Sequence, residues 1–204
     1  ALWGIETYYG KHTGKVPIID ALVTLAYDGR RSKYFRKELL NALKIIDAGH
    51  IDYARMKGSW AGAMGQVQFM PSSFLNYAVD GNNDDRIDLW QTPEDYLSSA
   101  ANYLAKMGWQ DKQTWGREVK LPNGFDSGLF NGERLPLSEW QKKGVRRLNG
   151  TALPQVDIVA TMIQPEGNGR RAFLVYANYD ALMKWNRAHS FALAVGMLAD
   201  ELVK

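Results

Sequence analysis

Apolar positions in the first half of the chain recur at helical spacing. Residues 18–27 carry Ile18, Ile19, Leu22, Val23, Leu25 and Ala26 in one stripe that ends at Asp28 and Gly29. Ser32 is placed to cap a longer helix over 33–48, with Phe35, Leu39, Leu40, Leu43 and Ile46 along one side. A third helix opens at Thr92, with Pro93 at its first position and Glu94 and Asp95 in its first turn, and runs to Gly108. Past Trp109 the pattern changes. Short alternating or β-branched runs at 117–121, 156–163 and 171–176, bounded by Gly, Pro and Asn, predict a small antiparallel sheet with a helical turn over 137–148 inserted in it. Helical spacing returns over 178–185 and 188–203. The expected architecture is α+β, mainly α: one domain over residues 1–204 with a small antiparallel β lobe at about 115–177.

Residues 1–10 read as a short helix with Leu2, Trp3, Ile5 and Tyr9 apolar, and with Gly10 where a helix commonly stops. Glu6 stands among them. A buried, unpaired Glu is costly unless its pKa rises and it keeps a proton at neutral pH, the state required of a general acid. The other reading is a Glu at the solvent edge of an ordinary amphipathic helix, and these ten residues leave both open.

Two further stretches stand out. Residues 57–74 alternate Gly58, Gly62 and Gly65 with Met, Gln and aromatic residues. The glycines allow close backbone approach, and Gln66 and Gln68 supply paired donors and acceptors, a lining suited to a polar, uncharged ligand rich in hydroxyls and amides. A tight helix crossing would use small residues equally well. Asp80, Asn82, Asp84 and Asp88 then place oxygen ligands at positions 1, 3, 5 and 9 of an EF-hand-like calcium loop. Position 6 is Asp85 instead of Gly and position 12 is Gln91 instead of Glu, so Glu94 or Asp95 would have to supply the missing carboxylate. An Asx-rich turn that caps its own backbone needs no metal.

Composition narrows the classes. Of 204 residues, 46% are hydrophobic and 12% aromatic, which describes a globular chain, and no apolar run approaches the ~20 residues of a membrane span. Cysteine is absent, which removes disulfides, thiolate metal sites and a Cys nucleophile. The net charge of +3 is spread over short clusters such as Arg30-Arg31 and Lys142-Lys143, read as solvated faces and not as a nucleic-acid surface. With neither an initiator Met nor a secretory leader pattern, the chain is expected to be a mature form or a fragment.

Taken together, Trp3 to Thr7 with Tyr9-Gly10, Lys57 to Ser59 with Ala61 to Gly65, Gln68 to Ser73, Tyr77 to Asp80, Arg86 to Trp90, Ala101 to Tyr103, Leu121 to Phe125 and Trp185-Asn186 resemble the lytic murein transglycosylase B family, in order and over almost the whole chain. The resemblance implies a lysozyme-like fold and cleavage of the bond between N-acetylmuramic acid and N-acetylglucosamine in peptidoglycan. On it, Glu6 falls on the catalytic acid/base; Ser59, Gln68, Phe69, Tyr103 and Asn186 fall on sugar-contacting positions; and Asp80, Asn82 and Asp84 fall on a calcium loop. Trp185 and Phe191 stand where the family often has Tyr. Family members carry a helical segment ahead of the catalytic Glu, which only five residues precede here.

The calcium loop, if it holds an ion, does so in a structural role; the implied reaction requires no cofactor. Its partner is the peptidoglycan glycan strand, and its setting is a periplasmic monomer that an anchor outside this chain could tether. Two rivals remain: a muramidase that uses water, for which Asp20, Asp52, Asp80 and Asp88 are second acids by type, and a non-catalytic glycan-binding module.

Overall fold

The computed structural model describes residues 1–167 and 171–204, which divide into two compact units, Ala1–Lys106 and Met107–Lys204.

The first unit is helical. It opens with α1 (Leu2–Thr7), followed by β1 (Val16–Pro17), α2 (Ile18–Tyr27) and α3 (Ser32–Asp47). A two-residue strand β2 (Lys57–Gly58) pairs antiparallel with β1, and α4 (Pro71–Tyr77) and α5 (Pro93–Lys106) complete the unit. Helix α2 packs on α3, α3 on α4, and α4 on α5. The core between them holds Ile18, Leu22, Ile45, Met56, Met64, Phe74 and Leu89, all essentially without solvent contact.

Helix α2 has the predicted bounds, but α3 departs from expectation in two ways. Ser32 is its first helical residue and not its cap; Arg31, at φ 57°, holds the cap position, and Ser32 Oγ donates to Ala26 O. Its buried face is Phe35, Glu38, Asn41, Ala42 and Ile45, while Leu40 and Leu43 face solvent. The helix is rotated because Glu38 has a partner that periodicity cannot reveal. Its carboxylate, 1% exposed, accepts from the N–H of Ser72 at 2.8 Å and from Ser72 Oγ at 2.7 Å, satisfying donors at the start of α4.

The second unit is a five-stranded antiparallel sheet backed by helices. Its elements in order are β3 (Gly116–Lys120), β4 (Arg134–Pro136), α6 (Leu137–Lys142), β5 (Arg146–Arg147), β6 (Val159–Ile163), β7 (Ala172–Val175), α7 (Ala177–Trp185) and α8 (His189–Leu202). The strand order is β4-β6-β7-β3-β5. Three predicted strands are present as β3, β6 and β7. Strands β4 and β5 are too short to carry a period, and β5 takes part of the range expected of the inserted helix, which therefore ends at Lys142.

Strand β7 is buried at every position, as its unbroken apolar run requires of a strand covered on both faces. Ala172 and Leu174 join a core with Val119, Trp140, Val145 and Met162. Phe173 lies on Trp115, which packs so closely on Gly196 of α8 that a Cβ there would come within 2.4 Å of the indole. Among the described residues, no helix is long and apolar enough to cross a membrane.

The Glu38 bracket generates a direct expectation. Glu38→Ala should lower unfolding free energy by about 1–3 kcal/mol, since two donors lose a buried acceptor. Glu38→Gln, which keeps one acceptor oxygen, should lose less. Urea denaturation of the three proteins measures this, and equal midpoints would show that Ser72 is satisfied without Glu38.

Candidate active site

Helix α1 stops at Thr7, three residues before the expected glycine. Tyr8 and Tyr9 follow at φ 52° and 55° and Gly10 at 85°, three consecutive left-handed residues of which only the last is relaxed there. Backbone of this kind persists where its surroundings over-determine it, and it concentrates at functional sites.

The surroundings here are specific. Thr7, buried, places its hydroxyl 2.9 Å from Gln66 O and 3.2 Å from Trp3 O, and accepts from the N–H of Gly10 at 3.1 Å. The indole N–H of Trp3 donates to Gln66 Oε1 at 2.8 Å, and Gln66 Nε2 donates to Trp90 O at 3.0 Å. The Gln66 N–H donates to Leu89 O, also at 2.8 Å. Trp3 is flanked by Tyr9 and by Tyr96 of α5, each with ring centroids 5.3 Å away. A Cβ on Gly10 would sit 2.5 Å from Gln66 Oε1, so this glycine is required by space as well as by φ. The turn of helix that carries Glu6 is thus fastened to residues 66, 89–90 and 96. Glu6 itself is half-buried, which is neither of the two extremes that its sequence left open.

The glycine-rich segment is a knotted loop and not a helix crossing. Met64 bridges to both Gly58 and Phe69, and a Cβ on Gly58 or Gly65 would strike the backbone oxygen of Ala63 or Leu89. Ser59 Oγ accepts from the N–H of Ala63 at 3.0 Å, closing the loop's tip. Gln68, at φ 53°, gives both amide hydrogens to backbone, to Thr13 O at 3.1 Å and Gly65 O at 2.9 Å. Any ligand contact from Gln68 is therefore an accepting one, through Oε1. Phe69 is buried and its ring lies 5.9 Å from that of Tyr103, which in turn meets Tyr77 edge-on at 4.7 Å. Burial, and to a lesser degree Tyr77, hold the Tyr103 phenol above its ordinary pKa, so it stays protonated as a donor at neutral pH.

Sequence reading passed over Trp60, which stands 72% exposed beside Ser59, and Thr7, whose hydroxyl has no pattern to announce it. Local composition pairs Gln66 with Gln68, and only the resemblance sets Gln68 apart; in the structure Gln66 is turned wholly to the scaffold. Glu6, Ser59, Gln68, Phe69 and Tyr103 all lie in the first unit. Asn186 lies in the second, where it ends α7, exposed, with Oδ1 accepting from the N–H of Ala188 at 3.0 Å.

The acidic loop brings Asp80, Asn82 and Asp84 together but uses much of their capacity internally. Asp80 accepts from the N–H groups of Asn83, Asp84 and Asp85, and Asn82 Nδ2 donates to Asp84 Oδ2 at 3.0 Å. Asn83 and Asp85 take left-handed φ values of 60° and 65°, so Asp85 does adopt the turn that Gly makes in an EF-hand. Asp88 faces inward: Oδ1 accepts from Trp90 and Gln91 N–H, and Oδ2 pairs with Arg86 at 3.3 Å. Asp95, fully buried, does not complete a metal set; it accepts from the N–H of Gly81 at 2.8 Å and of Asp88 at 2.6 Å. What remains for a cation is three hard-oxygen side chains without the bidentate carboxylate, a donor set that suits calcium in kind but is weak in number. Among the described residues, no group of three or more His, Cys, Asp or Glu side chains is placed to hold a metal.

Comparison with known proteins bears on this site. The sequence profile of the transglycosylase SLT domain matches residues 1–200. The membrane-bound lytic murein transglycosylase B of Escherichia coli is 35% identical over 197 residues, covering 96% of this chain and 53% of that protein. The crystal structure of SltB3 from Pseudomonas aeruginosa in complex with NAG-anhNAM-pentapeptide superposes with a TM-score of 0.94 at 46% identity, over 98% of this chain and 54% of that one. Escherichia coli Slt35 in complex with calcium superposes at 0.80 with 32% identity, over 98% and 63%. The fold is the lysozyme-like fold of these enzymes. This chain spans about half the length of the first two relatives.

The Gln66 clamp is testable by itself. Gln66→Ala should cost about 1–3 kcal/mol in unfolding free energy, because the Trp3 indole N–H and the Trp90 carbonyl are left without partners. Gln66→Glu keeps the acceptor for Trp3 and should recover part of the loss. Thermal melts decide it, and an unaltered Gln66→Ala protein would show that α1 is held by aromatic packing alone.

Proposed function

The chain belongs to the transglycosylase SLT domain family, and from that premise we propose that it is a lytic transglycosylase, cleaving the β-1,4 bond between N-acetylmuramic acid and N-acetylglucosamine in peptidoglycan. The observation that carries this reading is the fastening of the Glu6 turn by Thr7, Trp3 and Gln66 beside the Ser59–Phe69 loop, which gives one carboxylate a defined, half-buried position.

In the proposed reaction Glu6 donates its proton to the glycosidic oxygen as the bond to the muramic acid C1 breaks. The N-acetyl oxygen of the same sugar assists at C1. The C6 hydroxyl then bonds to C1 and returns its proton to Glu6, leaving a 1,6-anhydro sugar and a carboxylic acid ready for the next cycle. No water is consumed and no cofactor takes part. Ser59, Gln68, Phe69 and Tyr103 are proposed to contact the glycan, Gln68 as an acceptor toward an acetamido or hydroxyl donor; Asn186 is proposed as a glycan contact on the family resemblance alone.

The single-acid route is favoured over the water-using muramidase by what three of the four second-acid candidates do. Asp80 and Asp88 spend their carboxylates on backbone N–H groups, and Asp20 accepts from the Tyr53 hydroxyl at 3.1 Å. The relatives' complexes with NAG-anhNAM-pentapeptide and NAG-NAM-pentapeptide support the same substrate class. We further propose that residues 1–204 act as one catalytic domain, monomeric and periplasmic. The acidic loop is proposed to take a calcium ion with a purely structural role.

Glu6→Gln should reduce turnover of purified peptidoglycan by at least ~10²–10⁴-fold, the usual contribution of general acid–base catalysis, with little change in melting temperature. Products of the parent protein should end in 1,6-anhydromuramic acid by mass spectrometry; reducing-end muramic acid would make the enzyme a muramidase. A Glu6→Gln protein with full activity would overturn the mechanism.

Calcium at ten times its dissociation constant should stabilise the parent by about 1.4 kcal/mol. Asp80→Ala should remove that increment whatever it does to the baseline. A melting curve indifferent to millimolar calcium would leave the loop as a self-capped turn.

A further inference from the structure

Residues 121–130, which the proposed chemistry does not use, fold over one end of the sheet and enclose a solvent-open cavity of about 790 Å³ in the second unit. Val119 of β3 and Leu121 lie in its lining with the rings of Phe125 and Phe130, and Asn123 and Ser127 add an amide and a hydroxyl. The two rings sit 5.7 Å apart at 60°, so they form a corner and not a stack closed on itself. Both are only partly buried against the sheet core.

The segment is held in shape before any ligand arrives. Phe125 N–H donates to Pro122 O, and Phe130 N–H to Ser127 O. Asp126 Oδ1 accepts from the N–H of Gly128 at 2.8 Å. Pro122 lies against Gly144 so closely that a Cβ there would come within 3.0 Å of the proline ring. A lining fixed in this way loses little freedom on binding.

Its chemistry selects the ligand class. The cation at its edge, Arg171, is committed to Glu118 through two contacts of 2.8 and 2.5 Å, so an anionic group finds no open guanidinium fork there. What is presented instead is aromatic face, aliphatic floor, the neutral amides and hydroxyl of Asn123, Gln164 and Ser127, and one carboxylate, Glu166, which accepts from sugar hydroxyls and repels an anion. That combination suits a pyranose ring, apolar on its C–H face and polar at its edge, with an N-acetyl methyl to place on the aliphatic floor.

We propose that this cavity is a second, non-catalytic glycan-binding site, one that takes N-acetylated hexosamine units and gives the enzyme a foothold on the strand apart from the Glu6 machinery. The proposal rests on the reading of the substrate as peptidoglycan glycan, but not on the role of Glu6. A peptide stem is the alternative occupant that the paired Arg171 disfavours.

The test uses the full chain carrying Glu6→Gln, so that nothing is turned over, titrated calorimetrically with an N-acetylglucosamine tetramer. Two binding events are expected. Asn123→Ala combined with Phe130→Leu should weaken one of them by about 5–10-fold, the scale of one hydrogen bond lost to a neutral group, and leave the other unchanged. In the Glu6-intact protein the same pair should lower retention on insoluble peptidoglycan while turnover of short soluble strands stays as in the parent. Asn123 is exposed, so Asn123→Ala alone provides a folded variant if the pair does not fold. A single binding event in the Glu6→Gln protein, unaltered affinity in a folded variant, or capture of the sugar-free stem peptide in place of the tetramer would each overturn the proposal. Failure of the proposed mechanism reads out separately, as residual activity of Glu6→Gln.

Discussion

The side chain of Gln66 is the constraint on which the first unit turns. One amide meets the Trp3 indole on one side and the Trp90 carbonyl on the other, at 2.8 and 3.0 Å, while its own backbone is tied to Thr7 and Leu89. An amide head donates and accepts at once, in fixed directions and without charge. The contacts explain why α1 is only six residues long and why two tyrosines follow it with left-handed backbone. Six residues make a poor helix in isolation, so its shape has to come from what it is fastened to.

A second device recurs around this clamp: carboxylates used as backbone acceptors. Glu38 receives the start of α4; Asp95 receives Gly81 and Asp88; Asp88 receives Trp90 and Gln91. The effect is to carry loops between helices without long apolar segments. His50 belongs to the same scheme, since its Nδ1 accepts from the N–H of Ile87 at 3.1 Å. Burial, reinforced by Arg86 and opposed by Asp95, holds its pKa below the ordinary value, so the neutral ring is the folded form. That contribution to stability is present at neutral pH and is lost as pH falls below 6.5. Asp80, Asp88 and Asp95 of the first unit, which looked like metal ligands or second catalytic acids, are bound up in this way.

The second unit solves a different problem. Its sheet is covered on both faces at β7, so strand β7 could be read from its apolar run alone, whereas β4 and β5 owe their existence to neighbours. The loop after β3 is free of that packing duty over part of its length and turns two phenylalanines toward an open cavity.

Helical spacing determined the α2 helix, the capping residues at 92–95 determined the start of α5, and short alternating or unbroken apolar runs marked the central strands, because each of these signals is local. Local residue pattern also singled out Glu6, the glycine-rich loop and the acidic loop, since each breaks the surrounding pattern. Only the tertiary structure decided which way α3 faces, that Gln66 belongs to the scaffold while Gln68 keeps one acceptor, and that Asp95 serves a loop and not a metal. In each case the deciding partner is 7 to 63 residues away along the chain, at Ser72, Trp3 or Asp88. A polar side chain does not carry its partner's address in its own neighbourhood; packing supplies it, by bringing one donor and one acceptor within 3 Å where water cannot serve either.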